Sequence, residues 1–132
     1  MVKSRQIILS GTDHESDIGF AQASRIDELL CISGTGPCDE FGQTIGLDDA
    51  HLQAQRCFEK GLDSVLKAGG TAEDIIRTRV FITSRDNLSI VAKVHREFFS
   101  SIQPACSILI VQGLLHHEWL VQLEIDAYIK SL

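Results

Sequence analysis

Trp119, Val121, Leu123, Ile125, Ala127 and Ile129 share one parity of a single stretch, while Gln122, Glu124 and Asp126 occupy the other. A period of two sends successive side chains to opposite faces of extended backbone, so this stretch reads as a half-buried strand. Such a strand needs neighbours on both edges and a covering layer on its apolar side, which makes a helix-backed sheet the expected architecture. A second apolar strand opens shortly before it, at Pro104-Ala105-Cys106-Ser107.

A chain of 132 residues is expected to form one domain, 1–132, with a core that needs no metal or disulfide staples. The net charge of −6, with 12 basic residues scattered along the chain, offers no attraction for nucleic acid or for an anionic membrane. No basic segment leads into an apolar leader, and no apolar run nears the roughly 20 residues of a membrane span. The expectation is a cytoplasmic protein. The four cysteines, Cys31, Cys38, Cys57 and Cys106, contain no Cys-x-x-Cys and read as reduced thiols. His116 and His117 are adjacent, which should splay them apart, and no zinc or metalloprotease spacing occurs, so neither metal nor cofactor is expected.

Read in order, Arg5 to Ser10 is an edge strand, and polar Thr12 to Asp17 a loop. Ile18 to Ile26 and Leu29 to Ser33 form a hairpin around Asp27-Glu28, and Gly34 through Gly42 is a turn-rich connection. Asp48 or Asp49 caps a helix to Ala68, with Leu52, Phe58, Leu62, Val65 and Leu66 inward and Gly69-Gly70 as the stop. Thr71 to Asp74 outlines a capping box. Ile76 to Thr83 is the next strand, with Thr78, Val80 and Ile82 on one face and Arg77, Arg79 and Phe81 on the other. Asn87 to Ser100 is a second amphipathic helix, burying Leu88, Val91, Phe98 and one of Val94 and His95. Three strands, helix, strand, helix and a closing antiparallel pair place the helices on one face of a mixed sheet. The opposite face, carrying Arg79 and Phe81, suits a subunit contact.

Several pieces occur in a telling order: Ile18-Gly19, Ile32-Ser33-Gly34, Lys67-Ala68-Gly69-Gly70, the strand from Thr78 to Thr83, Glu97-Phe98-Phe99, Gln103-Pro104-Ala105 and Glu124-Ile125-Asp126-Ala127. Together they resemble the Rid, or YjgF-type, family of reactive-intermediate deaminases, whose members show Pro-Ala-Arg-Ser before a strand ending Glu-Ile-Glu-Ala. The resemblance implies a chorismate-mutase-like α+β fold, a mixed sheet with two helices packed on one face, and a homotrimer with three pockets between subunits. It implies hydrolysis of short-lived enamines and imines, an Arg gripping the substrate carboxylate and a Glu holding the attacking water.

Carried over by position, the catalytic Glu is Glu124, and Ser33 and Gly34 form the pocket floor. Phe20 falls where the family has a Tyr, and Cys106 stands where the family has its Arg, so the chain reads as a homologue lacking that Arg. Arg79 and Leu88 complete the expected ligand-binding set. Arg79 either replaces the missing cation or pairs with Glu124 or Asp126. Cys106 reads as a pocket filler, since a thiolate needs a neighbouring cation or His and none is local in sequence. The implied partners are a small-molecule ligand and further copies of the chain, with no nucleic acid and no membrane. A non-catalytic binding trimer is the alternative. A ribonuclease or translation inhibitor would need a basic stripe that the sequence lacks.

Overall fold

The computed structural model describes residues 4–130. Six strands form one sheet: β1 (Arg5–Ile8), β2 (Ala23–Ile26), β3 (Leu29–Thr35), β4 (Ile75–Ile82), β5 (Ala105–Ile110) and β6 (Val121–Tyr128), in the spatial order β1-β2-β3-β6-β4-β5. β4 and β5 run parallel, and every other neighbouring pair is antiparallel. Three helices, α1 (Asp13–Ile18), α2 (Ala50–Lys67) and α3 (Leu88–Phe99), complete the α+β fold.

The alternation of β6 is realised in full. Val121, Leu123, Ile125 and Ala127 are completely buried under the helices, while Gln122, Glu124 and Asp126 are half-buried on the other side. β4 follows the same rule, with Thr78, Val80 and Ile82 inward and Arg79 and Phe81 on the uncovered face. The last two strands run antiparallel but do not touch, because β4 lies between them. β5 is therefore an edge strand, exposed along most of its length, with Leu109 and Ile110 among its open residues.

α2 starts where Asp49 accepts a hydrogen bond from the Leu52 amide at 3.1 Å, and it ends before Gly69, whose φ of 93° is left-handed. Its buried stripe differs from the expected one. Leu52 and Leu66 are 45% and 62% exposed, and the inward face is instead Ala50, Gln53, Ala54, Cys57, Phe58, Gly61, Ser64 and Val65. Proximity explains this. A Cβ on Gly61 would stand 2.8 Å from Ile125 Cδ1 and 2.9 Å from Leu123 Cδ2, so small residues must face β6 for the helix to approach so closely.

α3 buries Val91, Val94 and Phe99, with Leu88 and Phe98 packed at the margin of the core. Phe99 thus takes the central place expected of Phe98. His95 packs edge-on against Phe58 and lies 2.8 Å from the Thr78 hydroxyl through Nε2. Burial lowers its pKa, so the imidazole is a packing element rather than an exposed base. The capping box is present, the Thr71 amide donating to Asp74 Oδ2 at 2.8 Å.

The segment expected as a loop from Thr12 to Asp17 contains α1. Six polar-rich residues carry no apolar period, so a helix this short leaves no pattern to read. It is held by Glu15, only 6% exposed, whose carboxylate accepts from the Ser10 amide, the Ser10 hydroxyl and the Gly11 amide at 2.9–3.1 Å. Burial pushes its pKa up, but the bonds from Ser10, Gly11 and Gln22 outweigh that and leave it below the ordinary glutamate value.

Two outcomes follow from this packing. Gly61→Val should lower the unfolding free energy by about 1–3 kcal/mol through overpacking against Leu123 and Ile125, measured by urea denaturation. Because the folded Glu15 carboxyl binds its proton less readily than in the unfolded chain, its contribution is present above about pH 4.5 and lost as pH falls through the folded value. Glu15→Gln should cost roughly 1–3 kcal/mol at neutral pH and flatten the acid branch of the stability profile.

Candidate functional site

β6 places Glu124 in the middle of the uncovered sheet face. On one flank Glu124 is in register with Arg79 of β4. Arg79 Nη1 lies 3.6 Å from Glu124 Oε1 and 3.3 Å from Asp126 Oδ2, and each of the three side chains is about one third exposed or less. Ion pairs this exposed contribute at most about 1 kcal/mol, so the arrangement matters more for charge than for stability. One cation answers two carboxylates, and Arg79 is engaged by both.

On the other flank, Ile32 pairs with Ile125 and Thr35 with Leu123, which leaves Ser33 and Gly34 together opposite Glu124. Two residues against one is a β-bulge, a device that kinks a strand and re-aims its groups. Hydrogen bonds lock it. The Ser33 hydroxyl donates to the Ala21 carbonyl at 2.6 Å, the Thr35 hydroxyl donates to the Ser33 carbonyl at 2.8 Å, and Gln22 Nε2 donates to Thr35 Oγ1 at 2.9 Å. A strand extended to Thr35 replaces the connection expected from Gly34 onward, because the bulge lets β3 continue beside β6.

Beyond this bulge opens a cavity of about 680 Å³, with Phe20, Gly34, Trp119 and Gln122 in its wall and Lys60 and Cys38 deeper. Glu124 sits two residues along β6 from Gln122 on the same face, about 7 Å further on. A second hollow of about 610 Å³ on the uncovered face takes in Phe20, Ser33 and Cys31. Cys31 is in register with Asp126, and its thiol is pushed up by burial and by that carboxylate.

The expected site residues thus fall into three groups. Phe20 joins Gly34 at one hollow and Ser33 at the other, and Glu124 joins Arg79. Cys106 and Leu88 lie apart from both. Cys106 is in register with buried Thr78, on the helix-covered side of the sheet, whereas Glu124 shares the opposite side with Arg79 and Ser107. Within one chain the two positions have β4 between them, and neither lines either of the two hollows above.

Sequence reasoning named Phe20 and Gly34 but missed what sets Trp119 in the cavity wall. Gln53, fully buried on α2, donates to the Gly46 and Glu118 carbonyls at 3.0 and 3.1 Å and accepts from the Leu120 amide at 2.6 Å. This pins the segment before β6 to α2 and sets Trp119 over Gly36. His116 and His117, expected to splay, instead stack at 5.2 Å, and His116 stacks in turn on Trp119 at 5.7 Å. A tight turn, closed by the Trp119 amide bonding the His116 carbonyl at 3.0 Å, turns both rings the same way. The one available signal was Gln53 itself, a polar residue in step with Cys57 and Gly61 on the buried face.

Gly36 has no room for a side chain: a Cβ there would lie 2.4–2.6 Å from the Trp119 ring. Gly36→Ala should therefore displace the chain's single Trp, shift its fluorescence toward a wetter environment and cost about 1–3 kcal/mol, checked by emission spectra and urea melts.

Comparison with known proteins places these features in context. Residues 13–129 match the family model described as Endoribonuclease L-PSP. A Mycobacterium tuberculosis protein of the highly conserved YjgF/YER057c/UK114 family superposes with a TM-score of 0.86 at 31% identity, covering 96% of this chain and 100% of that one. A Yersinia pestis protein of unknown function from the conserved Rid family gives 0.85 at 25% identity, with the same coverages of 96% and 100%. Escherichia coli TdcF, solved with bound serine, gives 0.76 at 26% identity over 85% of this chain and 88% of its own.

Proposed function

Because this chain belongs to the endoribonuclease L-PSP family, the family of the YjgF and Rid proteins, we propose that it binds a small metabolite without a carboxylate in pockets formed between its own copies. In this reading Glu124 positions the water that hydrolyses an imine, enamine or related C–N bond. The observation that carries the reading is the commitment of Arg79 to Glu124 and Asp126. Two carboxylates beside Arg79 Nη1 offset its charge and disfavour a third carboxylate next to it.

Cys106 supplies no substitute cation. A charge-assisted hydrogen bond contributes roughly 1.5–3 kcal/mol, and a thiol offers only one weak donor. A carboxylate desolvated beside it would go unmatched, which disfavours α-imino acids and favours neutral substrates. The same reading accounts for the split site. In a homotrimer the exposed edge strand β5 of one copy carries its Cys106 to the bulge and Glu124 of another, and the half-apolar open sheet faces bury one another. TdcF, solved with bound serine, supports a small molecule as the ligand, and the absence of an Arg at position 106 is what turns the expected preference here away from carboxylates. Despite the nuclease in the family's name, an acidic chain with scattered basic residues lacks the stripe that tracks a phosphate backbone.

The decisive measurement is turnover of a carboxylate-free enamine against aminoacrylate, with trimer formation followed by light scattering. The neutral substrate should turn over faster, and Glu124→Gln should reduce its rate by about 100-fold or more while the trimer persists. Cys106→Arg should improve handling of the carboxylate-bearing substrate by about 10-fold or more. Ligand binding with no turnover in any variant would point to a binding protein instead.

A further inference from the structure

Cys38 is 7% exposed, yet its side chain lines both the 680 Å³ cavity and a smaller one of about 190 Å³ behind it. It sits where the chain leaves β3, closed off by a single bridge to Thr44. Lys60 of α2 borders the same two cavities, and its Nζ donates to the Gly36 carbonyl at 3.1 Å and to Cys38 Sγ at 3.0 Å. One turn earlier, Arg56 Nε donates to the Cys38 carbonyl at 3.0 Å. The Lys60 ammonium is thus aimed at the Cys38 sulfur from the lining of both cavities.

The other thiols meet the opposite chemistry or none. Cys57 donates to the Val121 carbonyl at 3.5 Å, and burial pushes its thiol far up. Cys31 is pushed up by burial and by Asp126, which accepts its proton. Cys106 is exposed on the edge strand, with no hydrogen-bond partner for its sulfur among the described residues. Cys57 and Cys31 face acceptors, whereas the Cys38 sulfur meets the Lys60 donor and, among the described residues, no hydrogen-bond acceptor.

We propose that Cys38, paired with Lys60, is a reactive thiol that small uncharged soft electrophiles modify covalently from the large cavity. The charge of the surroundings selects for neutrality. Asp13, Asp17 and Glu40 border the cavity and repel anions, while Lys60 and Arg56 disfavour a cation next to the sulfur. In the step itself Cys38 Sγ attacks the electrophilic carbon, an S–C bond forms, the thiol proton is lost to water, and the bond to the leaving group breaks with its electron pair departing. Lys60 keeps its proton and is left beside a neutral thioether. This site stands independently of any turnover at Glu124.

Iodoacetamide, a small neutral alkylating agent, tests the proposal on the native full chain, with each cysteine followed by peptide mass spectrometry. Cys38 should be alkylated about 10-fold or more faster than Cys31 and Cys57, and Lys60→Met should slow it by about 10-fold while Cys106 keeps its rate. Lys60→Arg, which retains the charge, should keep most of the Cys38 reactivity. Continued protection of Cys57 reports that each variant is folded. Cys38 remaining unlabelled while Cys106 reacts, or labelling equally fast with and without the Lys60 ammonium in folded protein, overturns the proposal. Should Lys60→Met unfold, the ratio of Cys38 to Cys57 labelling in the native chain decides alone.

Discussion

The close approach of α2 to β6 at Gly61 is the constraint on which the rest of the molecule depends. Leu123 and Ile125 fill the space where a side chain would be, so the helix can lie against the central strand only while that position carries no Cβ. With the apolar side of β6 sealed, its Gln122, Glu124 and Asp126 are forced to the uncovered face. Gln53, two turns earlier on the same helix, then ties down the segment leading into β6 by two hydrogen bonds and the chain before α2, at Gly46, by a third. Core packing and the cavity wall are therefore parts of one contact, and the Gln53 side chain links the helix to the backbone on either side of Trp119.

Charge on the uncovered face is arranged for neutralisation. Arg79 stands between Glu124 and Asp126 at distances of 3.6 and 3.3 Å, partly exposed, where its net stabilisation is small. What the pairing changes is the availability of the cation. Both acids approach it through Nη1. Cys106 and Glu124 lie on opposite sides of the sheet, with β4 between their strands.

Local neighbours, rather than residue type, set the chemistry of the cysteines. Cys57, on α2, and Cys38, beside it, are both buried, yet one donates a hydrogen bond to a backbone carbonyl and the other accepts one from an ammonium. Lys60 lies 22 residues from Cys38, too far for any sequence spacing to suggest the pair.

Strand and helix positions were legible because burial on one face imprints a period: two along β4 and β6, three to four along α2 and α3. The family frame was legible for a related reason, since short apolar and glycine-bearing segments recur in a conserved-looking order with room for little else. What escaped left neither a period nor a cap or turn signal in the sequence. α1 is held by one buried carboxylate, the stripe of α2 was set by closeness of approach rather than by hydrophobicity, and β3 runs on to Thr35 only because a bulge absorbs an extra residue. By itself the sequence determined a helix-backed mixed sheet with Glu124 on its polar side and a thiol at position 106, because side-chain direction along a strand is local geometry. Only the tertiary structure decided that Arg79 is engaged by two acids, that Cys106 lies across β4 from Glu124 and that Lys60 meets Cys38, because those relations depend on which strands and helices become neighbours in space.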